Sequence, residues 1–173
     1  MADDATMTIS ALILPDEISK TLASQTFSYT PANDTEGWYY KLTDIITTTN
    51  GADLIDSGVN YMQFGGGNQG SDNDSPMHTT ADGDKVKFLF IKHMGVTDDG
   101  TTTNTADSVY ITFDGGNVAG NTADAIEVGP GESWFCKPGC TIADIHAISA
   151  VKNKGGSGGN KIQCIVAAII DNV

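Results

Sequence analysis

The chain has no arginine, and its nine lysines stand against 22 acidic residues for a formal net charge of -13. Tracking a phosphate backbone takes clustered basic side chains that displace counterions, so nucleic acid is not an expected partner. Cysteine is also scarce: Cys136, Cys140 and Cys164 are too few, and odd in number, for a disulfide framework. They read first as buried thiols behaving as small hydrophobes in a reducing compartment. A hairpin disulfide between Cys136 and Cys140 is the second reading. A zinc quartet of Cys136, Cys140, Cys164 and His146 is the third, and it lacks the paired ligands at both ends that structural zinc sites use. Long apolar runs are missing too. The longest, Cys164 to Ile170, falls far short of the roughly 20 residues a membrane span needs, so no membrane association is expected. Met1 to Thr6 is acidic and is not the basic lead of a secretory signal, so a soluble protein not exported by a standard signal is expected. Charged residues are only 18% of the chain, while Thr, Ser, Asn, Asp and Gly are plentiful. That composition favours strands joined by polar turns over helices.

Along its 173 residues the pattern fits one domain. Met1 to Thr6 is expected to fray. Met7 to Leu14 alternates and then becomes continuously apolar, as a strand covered on one side and then on both. Pro15 stops it, and Asp16 to Leu22 suits a short helix, with acids at its start and Ile18 and Leu22 on one face. Gln25 to Thr30 is expected to be extended. Trp38 to Thr49 is strong strand material, with Trp38, Tyr40, Leu42 and Ile46 on one side and Tyr39, Lys41, Thr43, Ile45 and Thr47 on the other. Asn50-Gly51 is a hairpin dipeptide, so Asp53 to Phe64 is expected to return beside that strand, with a bulge near Gly58. Gly65 to Asp84 reads as a long polar loop. Lys85 to Met94 restarts the core, with Val86, Phe88 and Phe90 on one face and Leu89 and Ile91 on the other, as in a central strand covered twice. Asp98 to Thr105 is a loop turning at Asp98-Asp99-Gly100, and Ser108 to Phe113 alternates cleanly.

The last third holds four apolar runs, Ile126 to Val128, Ser133 to Cys136, Ile142 to Val151 and Lys161 to Ile170. Turn residues separate them, which predicts an antiparallel meander. In the third run Ala143, Ile145, Ala147 and Val151 are expected to face the core. The final strand is apolar on both faces, so something must cover its second face.

Sites for chemistry are poorly developed. There is no Gly-x-Ser-x-Gly elbow. Asp144 and His146 are the only acid and histidine pair that strand spacing would align, and they read as a polar pair on a partly exposed strand. The clusters Asp72-Asn73-Asp74, Asp82-Gly83-Asp84 and Asp98-Asp99-Gly100 lack a closing glutamate for calcium. Gly65-Gly66-Gly67 and Gly155 to Gly159 lack the lysine and helix of a phosphate loop. Trp38, Tyr39, Tyr40, Tyr61 and Trp134 could stack on sugars, although aromatic residues of this kind are mostly core. No catalytic residue, metal or cofactor is assigned.

The order of parts in the closing third is Gly129-Pro130-Gly131-Glu132-Ser133, the aromatic pair Trp134-Phe135, the run Ile142-Ala143-Asp144-Ile145-His146-Ala147-Ile148-Ser149, a glycine loop and a Val/Ile/Ala strand. It resembles the closing hairpins of small virion structural proteins of marine tailed bacteriophages, with a looser likeness at Leu14-Pro15-Asp16-Glu17-Ile18. The resemblance implies a non-enzymatic decoration or cement protein on the capsid surface, bound to the major capsid protein or other virion proteins, in a homo-oligomer such as a trimer. A neck, tail or fibre adaptor is the alternative, then a carbohydrate-binding module, and a hydrolase last. The expected fold is an all-β, single antiparallel β-sandwich, jelly-roll-like, with one short N-terminal helix. The expected partner or subunit contacts are Met7, Ile9, Leu12, Ile13, Leu14, Ile165 and Ile169, on the two strands with surplus apolar surface.

Overall fold

The computed structural model describes residues 5–11, 23–29, 36–46, 52–63, 77–115, 125–149 and 161–173. The chain is built from antiparallel sheets, as an all-β composition requires. It divides into two compact units, Met1–Ala32 and Asn33–Val173.

In the first unit β1 (Ala5–Ala11) pairs antiparallel with β2 (Ala23–Tyr29), from Ala5 opposite Tyr29 to Ala11 opposite Ala23. Ala5 and Thr6 are therefore paired rather than frayed. The helix expected over Asp16 to Leu22 lies outside the described residues, as do Leu12, Ile13 and Leu14.

The second unit carries β3 (Glu36–Ile46), β4 (Ala52–Asp53), β5 (Asn60–Gln63), β6 (Met77–Thr79), β7 (Lys85–Thr97), β8 (Val109–Thr112), β9 (Ile126–Val128), β10 (Ser133–Cys136), β11 (His146–Ser149) and β12 (Lys161–Asp171). One sheet has the order β10-β7-β12-β3-β5-β6 and the other β4-β11-β8-β9. β12 lies between β7 and β3, where β-branched residues and alanines pack on a pleated surface with neighbours on both sides. Its Ile162, Cys164, Val166, Ala168 and Ile170 are fully buried. The core joins these to Tyr39, Ile45, Leu89 and Ile91 of the same sheet and to Val109, Ile111, Val128 and Ala147 of the other. Both sheets thus feed one hydrophobic cluster.

Three expectations are corrected. The closing runs form strands, but not a meander. β9 and β11 belong to the four-stranded sheet, β10 and β12 to the six-stranded one, and no two of the four pair with each other. Turn chemistry marks where the chain reverses, not which strand it reverses onto. Asn50-Gly51 lies outside the described residues, and the antiparallel return expected of Asp53 to Phe64 beside β3 is made only in part. Ala52 and Asp53 pair with β11 of the other sheet, and the returning β5 meets β3 only at Gly37 and Trp38. Leu54 and Ile55 account for this, since burying them carries the chain under the sheet first. Gly58, at φ +80°, then turns it back toward β5, a conformation open to glycine at no steric cost. Finally, the stretch expected as a polar loop as far as Asp84 is structured from Met77 onward, and its part over 65–76 lies outside the described residues. Met77–Thr79 forms β6 against β5, Thr80 is buried with its hydroxyl donating to the Asp56 carbonyl at 2.7 Å, and the buried Asp84 carboxylate accepts the Ala81 N–H at 2.9 Å.

Two local irregularities decide which side chains face the core. In β7 the register against β12 skips Lys87, a bulge that flips the alternation. Val86 therefore shares a face with Leu89, Ile91 and His93, and Phe88 and Phe90 lie on the other. In the 142–151 run, Ile142–Asp144 is a short 3-10 turn, and the Asp144 carboxylate accepts from the Thr141 N–H at 2.9 Å and its hydroxyl at 2.7 Å. The turn buries Ile142 and exposes Ala143, against the strand alternation, while Ile145 and Ala147 do reach the core. Val151 lies outside the described residues.

Candidate interaction surface

The face of the six-stranded sheet turned away from the core is apolar across most of its width. Cross-strand register fixes its rows. One runs Phe135, Phe90, Ala167, Tyr40; the next runs Ser133, Lys92, Ile165, Leu42; a third runs Phe88, Ile169, Trp38. Exposure grades along them. Ile169 is fully buried and Phe88 7% exposed, and the Phe88 ring stacks with Phe135 at a centroid distance of 6.4 Å. Phe90, Phe135, Ile165 and Ala167 are half-buried. At the β3 end Tyr40 is 70% and Leu42 50% exposed. Asp44, next on the same face, is exposed as well.

Of the residues expected to make contacts, Ile165 lies on this face between Leu42 and Lys92. Ile169 lies on it too, but wholly buried between Trp38 and Phe88. Met7 and Ile9 stand in β1 opposite Phe27 and Gln25. Tyr40, Leu42 and Phe90 are the additions. For Tyr40 and Leu42 the signal was present in the alternation of Trp38 to Thr49, where large apolar residues fall on both sides, Tyr39 and Ile45 among Lys41, Thr43 and Thr47, so the pattern does not say which side turns inward. Among the aromatic residues considered for sugar stacking, Tyr39 and Tyr61 are buried, and Trp134 packs against Phe113 at 5.6 Å. Tyr40 is exposed.

Among the described residues, the polar groups singled out in the sequence serve local structure. Asp144 caps its own turn, and His146 Nε2 lies 3.2 Å from Asp53 on the adjoining β4. The pair suggested by spacing is thus divided between two jobs. Asp99 accepts from the Thr97 hydroxyl, from the Thr101 and Thr102 N–H groups and from the Thr102 hydroxyl, closing the turn at Gly100 and holding its own carboxyl well below the usual range. Cys164 is buried, and Cys136 and Cys140 pack against the core half-buried. Burial pushes the Cys136 and Cys164 thiols up to about 12 and raises Cys140 as well, which leaves them poor nucleophiles. Among the described residues no group of three His, Cys, Asp or Glu side chains is placed to hold a metal ion.

His93 is a titratable group held on both ring nitrogens. It is fully buried on the core side of β7, opposite Cys164. The Gly95 N–H donates to its Nδ1 at 2.9 Å, so Nε2 carries the proton and donates to the Asp107 carbonyl at 3.0 Å. Burial lowers its pKa, partly opposed by the hydrogen bond at Asp107 and by the Asp107 and Glu132 charges.

Comparison with known proteins finds no matching family model, no matching curated protein and no matching solved structure.

Proposed function

We propose that the chain is a structural protein of a bacteriophage virion, a decoration or cement protein that binds the major capsid protein shell as a closed homo-oligomer, with a trimer favoured. It works without catalysis or a cofactor. The observation that carries this reading is the apolar outer face of the six-stranded sheet, which ends at Tyr40 and Leu42 in solvent. Exposed apolar surface that continues a half-buried patch marks a place where another surface binds. The acidic balance of the chain supports a basic partner surface and keeps the free protein dispersed. The resemblance of the closing third supplies the virion, and with it a location on the capsid surface after synthesis in the host cytoplasm.

The finer architecture belongs to the same reading: the two sheets as halves of a jelly-roll-like sandwich, with a short helix over 16–22. It is supported by the way β9, β10, β11 and β12 alternate between sheets, since such crossing is how a sandwich is laced. Decoration stabilises a shell by mass action and multiple attachment, because rupture must break its contacts as well.

The test is quantitative mass spectrometry of purified particles from the phage that encodes the chain. Hundreds of copies per particle support decoration. Tens or fewer would move it to the neck, tail or a fibre, and absence from the particle would sink the reading. A carbohydrate-binding role rests on the exposed Tyr40, with the half-buried Trp38 on the same face, and predicts glycan-dependent fluorescence.

A further inference from the structure

The buried ring of His93 is held at Nδ1 by a peptide that sits in a break in the sheet. Between His93, opposite Cys164, and Thr97, opposite Ile162, three residues of β7, Met94, Gly95 and Val96, stand against the single Gln163 of β12. The Met94–Gly95 peptide therefore lies in a bulge, outside the β7–β12 ladder. Its N–H donates inward to Nδ1 at 2.9 Å. A trans peptide sets its carbonyl opposite its N–H, so the Met94 carbonyl points away from the ring. Gly95 has φ +73°, and glycine takes the negative side as readily. Its own carbonyl is fixed independently, accepting the Asn104 N–H at 2.8 Å. Met94 is exposed and Gly95 and Val96 are partly so, which leaves water within reach of this peptide.

We propose that His93 and this peptide form a pH-operated switch: when the ring takes a second proton from solvent, the Met94–Gly95 peptide turns over, and the Met94 carbonyl accepts from Nδ1–H where the Gly95 N–H donated before. Without the turn, a doubly protonated ring sets two donors face to face. With it, both ring N–H groups are satisfied, Nδ1 at Met94 and Nε2 still at the Asp107 carbonyl, 3.0 Å away. A peptide turns over by rotating ψ of the residue before it and φ of the residue after it by about 180°, so the rest of the chain stays in place. Met94 passes from extended to helical backbone, which is open to any residue, and Gly95 from positive to negative φ. The freed Gly95 N–H then faces the exposed side. The charged groups facing the ring favour its charged form: Asp107 in the loop before β8, and Glu132 in the turn before β10, whose carbonyl also accepts the His93 N–H at 3.0 Å. Opposite it on β12 stands Cys164, whose thiol stays neutral. Burial opposes the charge, so the ring is neutral at neutral pH and the switch is thrown in acid. It works whatever the outer face binds.

The experiment follows the full chain, labelled with ¹³C and ¹⁵N, through an acid titration. Long-range ¹H–¹⁵N spectra report the His93 ring, and the Met94 ¹³Cα shift and the Gly95 amide report the peptide. As the ring gains its second proton, the Met94 ¹³Cα is expected to move from an extended to a helical value with the same midpoint, before the core unfolds. Gly95→Ala favours the turned state, because the left-handed conformation costs alanine about tenfold in equilibrium. Space is not the obstacle, since the added Cβ meets only the Gly131 nitrogen, at 3.8 Å. In this variant the His93 midpoint is expected to rise by up to about one pH unit. In His93→Gln, whose side-chain oxygen can accept the Gly95 N–H but cannot become charged, the Met94 and Gly95 signals are expected to stay put over the same range. If that variant does not fold, Gly95→Ala decides alone. A ring that charges while Met94 keeps its extended value, or that charges only as the whole chain unfolds, would overturn the proposal. So would a Gly95→Ala midpoint equal to or below that of the wild type.

Discussion

The two faces of β12 differ in one respect that governs the rest of the molecule. On the core side every residue from Ile162 to Ile170 is fully buried, and the side chains opposite them, Tyr39, Ile45, Leu89 and Ile91, are as tightly enclosed. On the far side burial fades along the strand, from Ile169 enclosed to Ile165 half-covered, and across the sheet it reaches solvent at Tyr40 and Leu42. Between Cys164 and Ile170 the residue types on the two faces are similar. Hydrophobicity therefore did not sort them; the second sheet did, by packing on one face only. What is left on the other face is surface with the composition of a core.

The sharpest way to break this contrast is to place one charge on each side. Val166→Asp is expected to abolish folding or cost about 3–5 kcal/mol, because a carboxylate there is cut off from water and the lysine opposite it, Lys41, is already paired with Asp56, and a domain has only about 5–15 kcal/mol to lose. Chemical denaturation followed by circular dichroism measures it. Ile165→Asp, one residue away on the half-buried face, is expected to leave a folded protein. If the two variants are equally damaging, the faces are not distinct.

His93 extends the comparison to pH. Its folded pKa lies below the ordinary 6.5, so between those two values the unfolded chain binds a proton that the folded chain refuses. Stability is therefore intact above about pH 6.5 and falls as pH drops from there toward the folded pKa, by up to about 1.4 kcal/mol per pH unit. Protonation would also set an Nδ1–H against the Gly95 N–H, two donors face to face. Long-range ¹H–¹⁵N spectra are expected to show the neutral Nε2–H tautomer predominating at pH 6.5, where an ordinary ring is half charged. A ring mostly charged in the folded protein at that pH would remove the account.

Much of this was legible in the residues, and the failures have a common cause. Strand positions from β7 to β12 follow the alternation and the turn residues closely, because both are local. Partners were not legible. Asn50-Gly51 and the Pro-Gly turns specify a reversal within a few residues, while pairing depends on which sheet buries the next apolar group, as Leu54 and Ile55 decide after β3. The Lys87 bulge is invisible to a strict count of two and moves Val86 across the sheet from Phe88. The surface was half legible: two-sided apolar strands announced that something must cover them, and Ile165 and Ile169 were the natural choices. Ile169 is buried between Trp38 and Phe88, and the exposed positions fell on β3 instead, at Tyr40 and Leu42.

A smaller effect is expected at the turn that overrides strand alternation near Ala143. Asp144→Ala removes the acceptor for the Thr141 N–H and hydroxyl, and loss of such a cap costs about 1 kcal/mol. The carboxyl is held below its usual range by those same bonds, so its contribution is present above the unfolded pKa near 3.8 and is lost as pH falls through the folded value. Denaturant midpoints of the wild type and variant are expected to differ near neutral pH and to converge in acid. A constant difference would mean that the damage is steric.

The smallest expected effect concerns the contrast most directly. Tyr40→Ser and Leu42→Ala remove large apolar groups from the sheet that holds the core, yet each is expected to change stability by no more than about 0.5 kcal/mol, since both side chains already meet water in the folded state. Leu89→Ala, an apolar truncation in the same sheet, is expected to cost about 2–5 kcal/mol. A near-zero cost at Tyr40 and Leu42 means that the fold does not need them. Residues kept apolar without serving stability are then to be accounted for by what they touch outside the chain, and wild type and variants should part company in binding rather than in melting. A cost at these positions approaching that of Leu89→Ala would mean that they serve the fold itself, and the outer face would lose its claim to be an interaction surface.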